Sequence, residues 1–173
     1  MCKHFVAWCL GVALLFAATA NAQTWIEYRS TDGRFKIEMP GTPVVSRIPL
    51  HVGNAPPVIQ IEAATKIADV VYSVTYTDMP EGLARSAPPA KLLERIRDGS
   101  IAGGKLLSDK PLTIGGVAAR EYAFIDRFGL FMVTRSAWSG RRGYQVTIAA
   151  REAGIERQTT ARRVLESFTL TSH

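Results

Sequence analysis

Residues 118–150 read AAREYAFID-RFG-LFMVTRSAW-SGRRG-YQVTIAA: three runs rich in aromatic and branched apolar residues, separated by links of three and five residues that each end in glycine. Runs of this composition between short glycine-bearing links are β-strands joined by hairpins. The predicted strands are Ala118 to Asp126, Leu130 to Trp138 and Tyr144 to Ala150. Upstream, Val70 to Thr77 alternates strictly, with Val70, Tyr72, Val74 and Tyr76 turned inward and Val71, Ser73, Thr75 and Thr77 turned outward.

Working outward from these strands, Trp25 to Ser30 and Phe35 to Met39 read as a hairpin about Asp32-Gly33, and Val58 to Lys66 as a further strand. A short strand from Leu112 to Ile114 precedes the turn at Gly115-Gly116. Pro40 through Pro57 and Met79 to Pro89 read as loops. Two segments have helical spacing. In the first, Pro88-Pro89 open a helix with Leu92, Leu93 and Ile96 on one face, limited by Gly99 and Gly103-Gly104. The second runs from Ile155 to Phe168, with Ala161, Val164, Leu165 and Phe168 on one stripe. The pattern predicts one α+β domain over residues 23–173, an antiparallel sheet flanked by helices.

The first 22 residues have another character. Lys3 and His4 precede an apolar run from Phe5 to Ala18 and the small-residue sequence Ala20-Asn21-Ala22. This reads as a secretory signal peptide cleaved after Ala22, which places the remaining domain in the periplasm or outside the cell, with no transmembrane segment after cleavage. Cleavage also removes Cys2 and Cys9, the two cysteines of the sequence. A domain of about 150 residues buries roughly 70% of its unfolded surface and needs no disulfide. Thiol nucleophiles, CxxC redox chemistry and Cys-ligated zinc are thereby excluded.

Several stretches together carry a family resemblance. Trp25 to Ser30, Asp32-Gly33-Arg34-Phe35 with the strand into Pro40-Gly41-Thr42-Pro43, and Tyr72 to Asp78 belong to it. So do Leu112 to Gly116 leading to Ala119-Arg120-Glu121, and the closing Leu165 to Leu170. The chain resembles the small exported bacterial proteins of the PsbP/Mog1-like superfamily over nearly all of residues 23–173. The resemblance implies an antiparallel sheet between helical layers and a binding or accessory role with varied partners. It supplies no catalytic residues to carry over, because its motifs are turns, a proline reversal and a core aromatic.

Candidate chemistry is sparse. Gly99-Ser100-Ile101-Ala102-Gly103-Gly104-Lys105 matches part of a P-loop, but a helix precedes it and Leu106 stands where Ser or Thr would hold magnesium. His51 is the one histidine inside the predicted domain besides terminal His173, and it reads as a solvated loop residue. Asp78 and Glu81 are too few for a calcium site. No G-x-S-x-G elbow is present. The expectation is therefore no enzyme, no metal and no cofactor.

Charge is unevenly placed. The whole sequence of 173 residues has 21 Lys+Arg against 15 Asp+Glu, a formal +6. Residues 120–173 hold nine arginines, no lysine and five acids. Arginine favours bidentate contact with carboxylate or phosphate and stacking on aromatics. The expected binding edge is the Arg141-Arg142 loop with Trp138 beside it, and losing both loop arginines is expected to change stability by no more than about 0.5 kcal/mol. Nucleic acid is excluded as partner by export and by the lack of a dense basic run. The sequence thus predicts a non-enzymatic periplasmic binding or accessory module for an envelope protein or anionic surface. The alternatives are a hydrolase-type enzyme assembled from distant residues and a purely structural envelope protein.

Overall fold

The structure, a computed structural model, describes residues 24–51 and 56–171. The predicted signal peptide, residues 1–22, lies outside the described residues. The order of the strands gives two antiparallel sheets. A small one joins β1 (Ile26–Ser30), β2 (Phe35–Met39) and β10 (Thr169–Leu170) in the order β1-β2-β10. The large one holds β3 (Val44–Leu50), β4 (Val58–Ile67), β5 (Val70–Asp78), β6 (Lys105–Ile114), β7 (Val117–Ile125), β8 (Phe131–Ser139) and β9 (Arg142–Ala150). Its strand order is β3-β4-β5-β9-β8-β7-β6.

The two faces of the large sheet are covered differently. On one face, Tyr72, Val74, Val133, Tyr144, Val146 and Ile148 are at most 3% exposed and pack against the small sheet and α3 (Thr159–Ser167). Phe35 stands at the centre of this core, its ring centroid 5.6 Å from Phe168, 6.1 Å from Tyr76 and 6.2 Å from Tyr144. Edge-on and tilted rings at such separations pack favourably. On the other face lies α2 (Pro89–Ile101), opened by Pro89 as predicted, which buries Leu92 and Leu93 against Trp138. A four-residue helix, α1 (Glu81–Ala84), precedes it.

Antiparallel pairing stands, but the picture of a sheet between helical layers needs correction. The first predicted hairpin does not extend the main sheet; it forms a second sheet that shares the covering of the core with α3. The predicted helix from Ile155 is broken. Residues Ile155–Arg157 form a 3₁₀ turn, Gln158 is extended at φ −67° and ψ 137°, and α3 starts only at Thr159. Strand β3 occupies part of the predicted loop, and β6 begins seven residues before Leu112. Both are edge strands with mostly exposed side chains, so neither carries an apolar alternation.

Candidate functional site

The β8–β9 connection is tighter than its five-residue link suggested. Ser139 pairs with Arg142, which leaves Gly140 and Arg141 as a two-residue turn with Gly140 at φ 60°. A left-handed glycine at the first turn position suits a twisted hairpin. The consequence is that Arg142 is not a loop residue. It lies within β9 opposite Asp78 of β5, on the core face of the sheet.

Strand register then determines the chemistry. Arg142 Nε donates to Asp78 Oδ1 at 2.7 Å and Nη2 to Oδ2 at 2.5 Å, a bidentate pair. Its Nη1 donates to the Asp32 carbonyl, and its guanidinium lies 4.7 Å from the centroid of Tyr76. The bonds from Arg142 hold the Asp78 carboxyl below its ordinary range against the opposing push of burial, and Arg141 and Arg34 add to the effect. Arg34 is delivered from the β1–β2 turn, where it has φ 57°. Its amide donates to the Thr31 carbonyl at 3.2 Å and its own carbonyl accepts from Thr171 at 2.9 Å. Tyr144 ties this turn to the large sheet through a 2.9 Å bond from its hydroxyl to the Gly33 carbonyl.

The result is a cleft of ≈ 450 Å³ lined by Arg34, Arg141, Arg142, Asp78, Tyr144 and Thr171 among others. Three arginines face one carboxylate. Arg142 is committed to Asp78, whereas Arg34 and Arg141 are exposed and form no ion pair among the described residues. Arg34 was missed from sequence because only the fold brings it next to a turn more than a hundred residues away.

The structure corrects the role of Trp138. Its cross-strand partner is Gly143, which leaves room for the indole. A Cβ at Gly143 would lie 3.3 Å from the Trp138 ring and 3.5 Å from Ile96. Trp138 is 4% exposed, and its Nε1 donates to the Gly140 carbonyl at 2.8 Å. The ring is buried under α2 on the opposite face from Arg142, where it braces the turn from within and offers no surface to a partner.

Most of the C-terminal arginine excess is neutralised inside the fold. Glu121, 7% exposed, accepts from Arg135 at 3.0 Å and from Arg162 at 3.0 Å, with Lys110 2.9 Å away. Burial raises its pKa, but these three cations overcome that and take it down to about 2. Arg135 also donates to the Leu165 carbonyl at the end of α3, at 2.9 Å. Arg163 pairs with Glu38 at 2.7 Å and lies 3.9 Å from the Trp25 centroid. Arg120 and Arg97 share Asp109, with Arg120 at 2.5 Å.

The remaining sequence candidates take other places. Gly99 to Lys105 forms the end of α2 and the entry to β6, the reverse of strand, loop, helix. Asp78 is held by Arg142, and Glu81 pairs with Arg85 at 2.5 Å, so the two carboxylates are not turned to a shared cation. His51 is exposed and lines a groove that Ser100 also lines, yet Ser100 Oγ donates to the Ile96 carbonyl at 2.9 Å, and no hydrogen bond among the described residues joins the two. Among those residues no group of three His, Cys, Asp or Glu is placed to hold a metal, and no helix is long and apolar enough to cross a membrane.

No family model and no curated protein matches the chain. Solved structures do. The cyanobacterial PsbP protein (CyanoP) of Synechocystis sp. PCC 6803 has a TM-score of 0.57 at 12% identity, covering 91% of this chain and 98% of its own. A Pseudomonas aeruginosa protein of unknown function, PA94, has a TM-score of 0.45 at 18% identity, covering 86% and 97%. The likeness to the cyanobacterial protein shows a PsbP-like fold, and fold does not specify chemistry.

Proposed function

We propose that this PsbP-like domain is a non-enzymatic binding or accessory module of the bacterial envelope, exported by residues 1–22 and related to the exported PsbP/Mog1-like proteins. It holds carboxylate or phosphate groups of an envelope protein or anionic surface in the Arg34–Arg141–Arg142 cleft. The observation that carries the reading is the inequality of charge there: three guanidinium groups against the single carboxylate of Asp78.

The three arginines have separate parts in this function. Asp78, Asp32 and Tyr76 fix Arg142, so its charge stays in place whether or not a ligand is present. Arg34 and Arg141 provide the free donors, on backbones pinned by the Thr171 and Met79 amides at 2.9 Å each. Guanidinium forks match the oxygens of carboxylate and phosphate, and an exposed pair of them gives a contact that weakens as salt rises.

The test is co-sedimentation with phosphatidylglycerol vesicles at low and moderate salt, together with crosslinking in native envelope. Replacing Arg34 and Arg141 by Ala should abolish the salt-sensitive fraction or the crosslinked species while the melting curve stays unchanged. Retention of both by the double variant would overturn the assignment.

A further inference from the structure

At the centre of the face of the large sheet opposite the core, β5, β8 and β9 carry short hydroxyl and carboxamide side chains. Strand register lines them up in two rows across the central strands: Ser73, Thr147 and Thr134, then Thr75, Gln145 and Ser136. Water-facing sheet surfaces normally carry long charged residues, yet here Ser73, Thr75, Thr134 and Ser136 are 9% exposed or less. α2 packs chiefly over β7 and β8, to one side of β4 and β5. Between them run two adjoining clefts of ≈ 480 and ≈ 490 Å³, which share Gln60, Thr75, Gly99, Ser100 and Gln145 and so form one groove.

Hydrogen bonding divides this groove. On its α2 side the polar groups are satisfied internally: Ser100 Oγ accepts from Tyr122 and from Gln145, each at 3.2 Å, and Thr134 and Thr147 bond each other at 3.0 Å. On the β4–β5 side Ser73 Oγ donates to the Thr147 carbonyl at 3.5 Å, and the groups beyond it are free. Thr75 and Thr77 are 9% and 4% exposed, line the groove, and have no side-chain hydrogen bond among the described residues; the same holds for Gln60. Their hydroxyl oxygens open into the groove, since Asp109 Oδ1 is the one buried side-chain polar atom without a partner among the described residues, and so they are free to meet a ligand.

The mouth has a different character. Phe128 is 75% exposed, on a β7–β8 loop fixed by Asp126, whose Oδ1 accepts from the Phe128 amide at 2.8 Å and the Leu130 amide at 2.9 Å. A held aromatic ring beside a floor of hydroxyls presents one apolar face and many groups that both donate and accept. Among the lining residues Arg95 and Arg127 are balanced by Glu62 and Asp126, so no excess of cations directs an anion here. An extended peptide would need free main-chain edges, and the main chains of β5 and β9 are already paired on both sides.

We propose that this groove binds an uncharged oligosaccharide, whose hydroxyls meet Gln60, Thr75 and Thr77 while one sugar face rests on Phe128. The site is separate from the arginine cleft, which opens on the other face of the sheet, and does not depend on it.

The experiment is an NMR titration of the purified protein with maltotriose, with N,N′,N″-triacetylchitotriose and with trialanine. Saturable shifts centred on Thr75, Thr77 and Phe128 are expected with at least one trisaccharide. Thr75→Val and Phe128→Ala should each weaken that binding by about tenfold, the scale of one lost buried contact. The Arg34→Ala/Arg141→Ala protein should bind unchanged, and melting curves confirm that the variants are folded. Absence of saturable shifts with both trisaccharides overturns the proposal, as does binding unaffected by both groove variants. Equal or tighter binding of trialanine at the same residues overturns it in favour of a peptide.

Discussion

The two faces of the large sheet come from the same strands, yet they are buried by different means. On the core face, Tyr72, Val74, Tyr144 and Val146 meet Phe35 and Phe168 and are dehydrated by packing. On the opposite face, residues one position along, Ser73, Thr75 and Gln145, are recessed beside α2 and keep polar groups turned into an open groove. Burial alone therefore does not separate a core from a site. What separates them is whether the buried surface is apolar or hydrogen-bonding, and whether its hydrogen bonds are already made.

Substitutions on the two faces should differ most at the centre of the core. Phe35→Ala removes a ring that touches four aromatic neighbours and should cost about 3–5 kcal/mol in urea denaturation. The core face also has a buried charge, and acid tests it. Glu121 has a folded pKa of about 2 against an ordinary 4.5. Its contribution is complete above the unfolded value and disappears as pH falls from 4.5 towards 2, with an upper bound of about 3 kcal/mol. Circular dichroism of Glu121→Gln should show a flatter loss of stability across that window; a slope equal to the wild type would mean that the three cations act elsewhere.

At the rim of the same face, Arg142→Ala breaks the pair with Asp78. Because the Asp78 side chain is 48% exposed, the cost should be limited to about 1–2 kcal/mol. Arg141→Ala should stay within about 0.5 kcal/mol. Parallel thermal melts of the two would separate a pair that the sequence presents as equivalent. A similarly small effect belongs to the groove. Thr75→Val replaces a groove-facing hydroxyl that has no side-chain hydrogen bond among the described residues, so stability should change by less than about 1 kcal/mol in either direction. A cost near that of Phe35→Ala would mean that the groove face is a second core.

Much of the architecture was legible because β5 and β7–β9 alternate or lie between unmistakable turns. The strands missed, β3 and most of β6, are at the two edges, where exposure removes the pattern that betrays a strand and Pro49 and Pro111 read as loop punctuation. Of the site, Arg141 and Arg142 were visible as a pair, but the length of their turn was not. Counting Ser139 and Gly143 as link instead of strand moved Arg142 off β9 and concealed its pairing with Asp78. Trp138 was judged by its neighbours in sequence, whereas its neighbour across the strand, Gly143, decides its burial. The groove was overlooked because Ser73, Thr75 and Thr77 alternate as a solvent face should. A signal was present in composition: Thr134 with Ser136 and Gln145 with Thr147 repeat the same short uncharged chemistry on neighbouring strands.

The prolines at the rims have a further consequence. Apolar side chains crowd both ends of the large sheet: Val44, Val45 and Ile48 on β3, Leu106 and Leu107 on β6, all at least 38% exposed. Such a rim invites a second copy to zip on strand by strand, the first step towards fibres. A proline in an edge strand is tolerated where its nitrogen faces outward, so Pro49 and Pro111 each leave a gap in the row of donors that an arriving strand would use. Among the described residues the seven-stranded sheet ends at β3 and β6, and each of these edges has one position without an N–H to offer an arriving strand.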